Sequence, residues 1–396
     1  MTRSEALDRS CDLRSAQTPL FDSVLLGGFE CSTQKLSDGR RLDLLAATRH
    51  DELAAADYQR LRDIGITACR DGAPWVTVER GGSYDFTRVA RMMRAARQQR
   101  IDVIWDLLHF GWPDHEDPFG ARFPVHFGRY ARAFARVLDA ETDRAPMIAP
   151  VNEISFLAWA GGDVRCLNPF EAARGVELKA QLVRATIEAI EAIRVVLPHA
   201  RFLQPEPVIR IVRSESLPLT WARTESDNLL QYQTWEMLTG RVWPSLGGCP
   251  DLLDIIGVNF YSNNQFTPDG ETVELGDPRF TPFSELLLDV WRRYRRPMIV
   301  SETGHEGAAR APWLRYVTSE CIEAMRRGCQ LHGVTLYPIV NHPGWLDDRR
   351  CENGLWDYPG PSGERAADAA LLGELALSEA SLHAARNQVL SRSTMT

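Results

Sequence analysis

The chain has 396 residues, 44% of them hydrophobic, and a formal net charge of −8. That is enough apolar material for a large core, and α/β barrels of this length fold as one domain. The basic residues are scattered arginines rather than stripes interleaved with aromatics, which argues against a nucleic-acid partner, and no apolar run is long enough to span a membrane.

Residues 1–20 read as a flexible N-terminal arm, polar up to Arg14 and without the apolar stretch of a signal peptide. The folded unit is expected over 21–396. Val24 to Phe29 reads as a first strand. His50 to Ile64 is an amphipathic helix stopped at Gly65. Ile66 to Arg70 is a second strand, Tyr84 to Arg100 a basic helix, and Ile101 to Leu108 a third strand. A helix from Phe127 to Leu138 leads to Met147-Ile148-Ala149-Pro150-Val151-Asn152-Glu153, an apolar run that ends in a carboxylate. A long helix follows, Glu171 to Leu197, and Arg201 to Gln204 is a weaker strand pattern. Asn228 to Leu238 is helical, and a strand ends at Asn259-Phe260-Tyr261. After a helix from Phe283 to Tyr294, a second apolar run ends in a carboxylate: Pro297-Met298-Ile299-Val300-Ser301-Glu302-Thr303-Gly304. Trp313 to Arg327, Gly333 to Tyr337 and a helix from Ala366 onward complete the chain.

Eight strands alternating with helices imply a parallel sheet with right-handed crossovers, closed into a single (β/α)8 TIM barrel of the α/β class. Chemistry in such a barrel sits beyond the strand C-termini. The polar residues there are Gln34, Arg70, His109, Asn152 with Glu153, Tyr261, Glu302 and Tyr337, with Glu206 and Arg210 added by the weaker fifth strand. Two strand-end glutamates can divide acid/base and nucleophile work, as glycosidases require. A guanidinium (Arg70) and a phenol (Tyr261) are the neighbours that favour an ionised nucleophile. Each residue taken singly also fits an ordinary role: Arg70 in a core ion pair, His109 as a structural histidine, the tyrosines and Trp112 or Trp345 in packing. No ligand spacing suggests a metal, and no phosphate-binding loop, dinucleotide fingerprint or nucleophile elbow is present, so neither metal nor cofactor is expected. Eight dispersed cysteines without a Cys-x-x-Cys pair point to reduced thiols in a cytoplasm.

With these residues in place, the chain resembles glycoside hydrolase family 1, the β-glucosidase-like branch of the retaining (β/α)8 glycosidases. Gly27 to Gln34 is similar to the family's first-strand motif with its sugar-binding glutamine. Arg70 followed by Trp75 matches Arg-x-x-x-x-Trp. His109-Phe110-Gly111-Trp112-Pro113 stands where the family has His-Trp-Asp-Leu-Pro, and Gly240-Arg241-Val242-Trp243-Pro244 resembles its Gly-x-Tyr-Pro. Asn152-Glu153, Asn259-Phe260-Tyr261 and Ser301-Glu302-Thr303-Gly304 match the acid/base, nucleophile-supporting and nucleophile motifs. The resemblance implies a retaining β-glycoside hydrolase acting on a small glycoside. Glu153 would be the acid/base and Glu302 the nucleophile, with Arg70 and Tyr261 supporting it. Gln34, His109, Asn152, Asn259, Tyr337 and Trp345 would line the substrate pocket. The departures concern the sugar: Tyr337 replaces a platform tryptophan, Gly344 replaces a glutamate that binds outer hydroxyls, and Ile154 replaces the usual proline. They leave two alternatives open, a transglycosidase or biosynthetic enzyme acting on an unusual glycoside, and a sugar-binding barrel without turnover. Oligomeric state is not legible.

Overall fold

Short aliphatic runs, each followed by an amphipathic helix, repeat eight times along the chain. In the computed structural model, which describes residues 18–214, 216–217 and 221–393, these runs are all parallel and close into a barrel. The barrel strands are β1 (Leu25–Gly28), β2 (Ala68–Gly72), β3 (Asp102–Leu108), β4 (Met147–Val151), β5 (Arg201–Pro207), β6 (Ile255–Asn259), β7 (Met298–Thr303) and β8 (Leu331–Leu336). Each pairs with its sequence neighbours, and β8 pairs with β1. The fold is a (β/α)8 TIM barrel.

Strand alternation divides the core into two layers. Leu26, Ala68, Ile104, Ala149, Leu203, Ile255 and Ile299 form a closed cluster with Phe21, which plugs the barrel where the strands begin. Their neighbours Leu25, Cys69, Trp105, Ile148, Phe202, Ile256 and Val300 belong to the larger cluster between strands and helices. Among the helices are α1 (His50–Asp63), α2 (Thr87–Gln99), α3 (Phe123–Glu141), α4 (Gly175–Arg194), α5 (Phe283–Tyr294), α6 (Arg310–Arg326) and α7 (Ala369–Ser393). The last returns to the first strand, where Glu379 accepts from the Val24 and Leu25 amides.

Several boundaries differ from the sequence reading. Ile66 and Thr67 are not strand: Gly65 is left-handed (φ 84°) and the Ile66 amide bonds back to the Leu61 carbonyl at 2.9 Å, so 64–66 finish α1. β2 therefore starts two residues later, and Arg70 lies at its middle. β5 is longer than the apolar pattern suggested, reaching Pro207 because Leu203 to Pro207 pair with Ile255 to Asn259. Asp254 anchors its start, accepting from two Arg201 guanidinium nitrogens and the Phe202 amide. Directly after β4 comes a helix the apolar pattern had hidden, Ile154–Gly162, and α4 begins at Gly175 rather than Glu171. The arm expected at 1–20 lies outside the described residues except for 18–20, and Leu20 packs against the barrel floor. Among the described residues the seven cysteines are free, and no helix is long and apolar enough to cross a membrane.

Candidate active site

Because lumen-facing positions recur every second residue, the layer above the apolar plug carries Arg70 (two after Ala68), Asp106 (two after Ile104) and Ser301 (two after Ile299). A guanidinium buried to 0% exposure demands partners for its charge. Arg70 finds four acceptors: Asp106 Oδ2 at 2.6 Å, the Ser301 carbonyl at 2.8 Å, Glu302 Oε1 at 2.9 Å and Asn152 Oδ1 at 3.1 Å. Burial alone would lower its pKa, but Asp106 and Glu302 hold it above the ordinary value. The other oxygen of Glu302 accepts from the Tyr261 hydroxyl at 2.9 Å. Glu302 thus ends β7 as a carboxylate gripped on both oxygens by charge-assisted or phenolic donors.

Glu153 stands just past β4 in a left-handed conformation (φ 46°, ψ 58°) that a non-glycine residue adopts only when its surroundings impose it. Its amide bonds to the Pro205 carbonyl, and its own carbonyl opens the Ile154–Gly162 helix by accepting from Leu157. Glu206, at the end of β5, accepts from the Ser155 amide at 3.0 Å in the first turn of that helix. It anchors the segment that carries Glu153. Burial pushes the Glu206 pKa up to about 7. Asn259 donates to Glu153 Oε1 at 2.8 Å and accepts from the Ser301 hydroxyl at 2.6 Å, which ties Glu153 to the residue beside Glu302 through one amide. Burial, and next the charge of Glu302, push the Glu153 pKa up to about 8 despite the Asn259 bond. Two carboxyls in one pocket thus have opposed environments, one lined with donors and one desolvated beside a like charge.

The remaining residues fall into two groups. Asn259, expected at the sugar, has its amide engaged by Glu153 and Ser301 and serves to position them. Tyr337 is buried at 2% exposure, stacks on His109 (6.0 Å, 16°) and donates to the Phe29 carbonyl, so it backs His109 rather than presenting an open face. Gly28 makes room for it: a Cβ there would fall 2.0 Å from the Tyr337 ring. Asn152 lies 3.0 Å from His109 Nε2, which joins His109 to Arg70. Gln34 is wholly buried with both side-chain amide atoms unpartnered, and the Trp345 indole nitrogen is likewise buried without a partner. Both are open to bond a ligand or an ordered water. The Gln34 loop is held against the β3 turn by the Thr33 amide on the His109 carbonyl, by Arg41 on Asp114 at 2.6 Å, and by Gly111, where a Cβ would meet Thr33 at 2.1 Å. A Cβ at Gly344 would fall 2.2 Å from Asp347 Oδ1, the tip of an exposed side chain that can swing away. Arg210 belongs to a short parallel pair, Arg210–Ile211 with Gln265–Phe266, outside the barrel.

Sequence reasoning missed Asp106, Ser301 and Glu30. Glu30 is buried at 7% exposure, with Oε1 on the Ser32 amide at 2.8 Å and 3.8 Å from His109 Nε2. Cys31, Asp106 and His109 bring three donor atoms close together, a spacing compatible with a cation. Arg70 already occupies the same Asp106 oxygen at 2.6 Å, and burial raises the Cys31 thiol well above its ordinary range, so the trio suits a metal poorly.

Comparison with known proteins adds the fold. No family model matches the chain, and no curated protein does. Solved structures do. A family 1 β-glucosidase from Thermotoga maritima superposes with a TM-score of 0.72 at 13% identity, covering 91% of this chain and 97% of that one. A hyperthermophilic β-glucosidase mutant gives 0.70 at 16% identity over 89% of this chain and 99% of its own. The AHE enzyme from Alicyclobacillus herbarius gives 0.74 at 14% identity over 91% and 98%. The chain shares the barrel of these structures over most of its length.

Proposed function

We propose that this protein is a retaining β-glycosidase that cleaves an O-glycosidic bond of a small glycoside by double displacement. The observation that carries the reading is the contrast between its two strand-end glutamates: Glu302 held by Arg70 and Tyr261, Glu153 desolvated and held protonated near neutrality. Glu302 attacks the anomeric carbon while Glu153 gives its proton to the departing oxygen. Glu153, now a base, takes a proton from the water that releases the sugar from Glu302. A retaining mechanism needs the two carboxyls about 5–5.5 Å apart, and the chain of bonds Glu153–Asn259–Ser301 runs from one glutamate to the neighbour of the other. Arg70 and Tyr261 compensate the Glu302 charge and release it as the ester forms. Gln34, His109, Asn152 and Trp345 line the sugar side, with Tyr337 behind them. The fold likeness to β-glucosidases supports the same class.

The test is the anomeric outcome. Proton NMR of the first-formed product from an activated aryl β-glycoside is expected to show the β-anomer, with turnover largely lost in both Glu153→Ala and Glu302→Ala. An α-anomer, or full activity in either variant, overturns the proposal.

A further inference from the structure

Glu30 is a third carboxylate in this pocket that the double displacement does not use. It sits on the irregular segment after β1, beside Phe29, whose carbonyl takes the Tyr337 hydroxyl, and 3.8 Å from His109. One oxygen takes the Ser32 amide, and no lysine or arginine pairs with it among the described residues. A carboxylate this buried is ordinarily paired or hydrogen-bonded on both oxygens. The second observation is independent of it: on the same loop, four residues on, Gln34 keeps a buried donor and a buried acceptor unpartnered. The loop thus presents two acceptors, Glu30 and the Gln34 carbonyl oxygen, and one donor, the Gln34 amide nitrogen. The Arg70 guanidinium spends its charge on two carboxylates, Asp106 and Glu302, and its two terminal nitrogens also bond Asn152 and the Ser301 carbonyl, leaving only Nε without a partner. Little of that charge is left to neutralise an anionic guest.

We infer that Glu30 is a specificity-determining residue: it accepts hydrogen bonds from the glycone, so the site takes a glycone with hydroxyl or amino donors and rejects one with an acidic group. This rests on the glycosidase reading above. His109 and His342 support it by holding the Glu30 carboxyl below its ordinary range against the effect of burial. A uronic acid or sugar phosphate brought beside Glu30 and Glu302 meets like charge at close quarters, which costs far more in a dry pocket than in water.

The experiment measures kcat/KM with 2,4-dinitrophenyl β-glycosides of neutral hexoses and pentoses, of an amino sugar, of a uronic acid and of a hexose 6-phosphate. It uses the full-length protein and its Glu30→Gln variant, and thermal melting checks that the variant is folded. Gln keeps the Ser32 contact but withdraws the charge. We expect at least a hundredfold preference for the neutral or amino sugars over the acidic ones. In Glu30→Gln we expect a 10- to 100-fold loss on the preferred sugars, with a smaller loss or a gain on the acidic ones. Acidic glycosides cleaved as well as neutral ones overturn the inference, as does an unchanged variant. So does an equal loss on every sugar, which marks a structural role. Hydrolysis of no member at all overturns the glycosidase reading beneath it, so the two failures are distinguishable.

Discussion

Replacing Glu153 with Gln should stabilise the protein at alkaline pH and do little at acid pH. In the folded chain burial and the neighbouring Glu302 charge hold the Glu153 pKa at about 8, against an ordinary 4.5. The folded state therefore binds the proton more tightly than the unfolded state does. The sign follows: stability associated with this group is present below pH 4.5 and is lost as pH rises through 8. At 1.36 kcal/mol per unit the full shift is worth about 5 kcal/mol, an upper bound because part of it depends on the charge of Glu302. Gln is nearly isosteric with the protonated acid and still accepts from Asn259, so the variant avoids the cost. Unfolding entropy scales with chain length, so for a chain of this size each kcal/mol moves Tm by roughly 1 °C. Differential scanning calorimetry of wild type and Glu153→Gln at pH 5 and pH 9 should give melting temperatures within about 1 °C at pH 5, and the variant about 2–5 °C higher at pH 9. A difference that does not change with pH would refute the electrostatic account of this carboxyl.

The same proton sets the rate profile: kcat/KM should fall on the basic side with a midpoint near pH 8, and the Glu153→Ala variant, assayed with a dinitrophenyl leaving group that needs no acid, should lose that limb. Tyr261→Phe removes one of two donors to Glu302, and a hydrogen bond to a charged group is worth about 1.5–3 kcal/mol, so kcat/KM should drop about 10- to 100-fold while the melting temperature barely moves. Gly28→Ala places a methyl 2.0 Å from the Tyr337 ring; overpacking of this kind costs about 1–3 kcal/mol. It should lower stability in a denaturant titration and activity together, because Tyr337 backs His109.

The barrel was legible because its repeat is carried by many residues at once: aliphatic runs, each followed by an amphipathic helix, leave few other solutions. Errors arose where local chemistry overrode that pattern. Pro205 and Pro207 removed amides from β5 and made it read as weak, yet the strand holds because their carbonyl side still serves, the Pro205 carbonyl taking the Glu153 amide. Ile66 looked like strand because it is β-branched, but Gly65 turns the chain and hands it to the helix cap. Glu153 and Glu302 announced themselves as charges at the ends of apolar runs. Asp106 and Ser301 did not, since each sits inside its run, although counting by two from Ile104 and Ile299 would have put both in the lumen. What no pattern conveys is side-chain direction. Whether Asn259 meets a sugar or bridges Glu153 and Ser301, and whether Tyr337 forms a wall or a backing layer, depends on rotamers set by packing from distant parts of the chain.

The central claim is that Glu302 becomes covalently attached to the sugar. Incubation with a panel of 2-deoxy-2-fluoro glycosides carrying good leaving groups slows release more than attack, so the intermediate accumulates for peptide mass mapping. The account predicts a single glycosyl adduct on Glu302, formed in wild type and absent in Glu302→Gln. An adduct on another residue, or hydrolysis of the same glycosides with no adduct and inverted product, would contradict it.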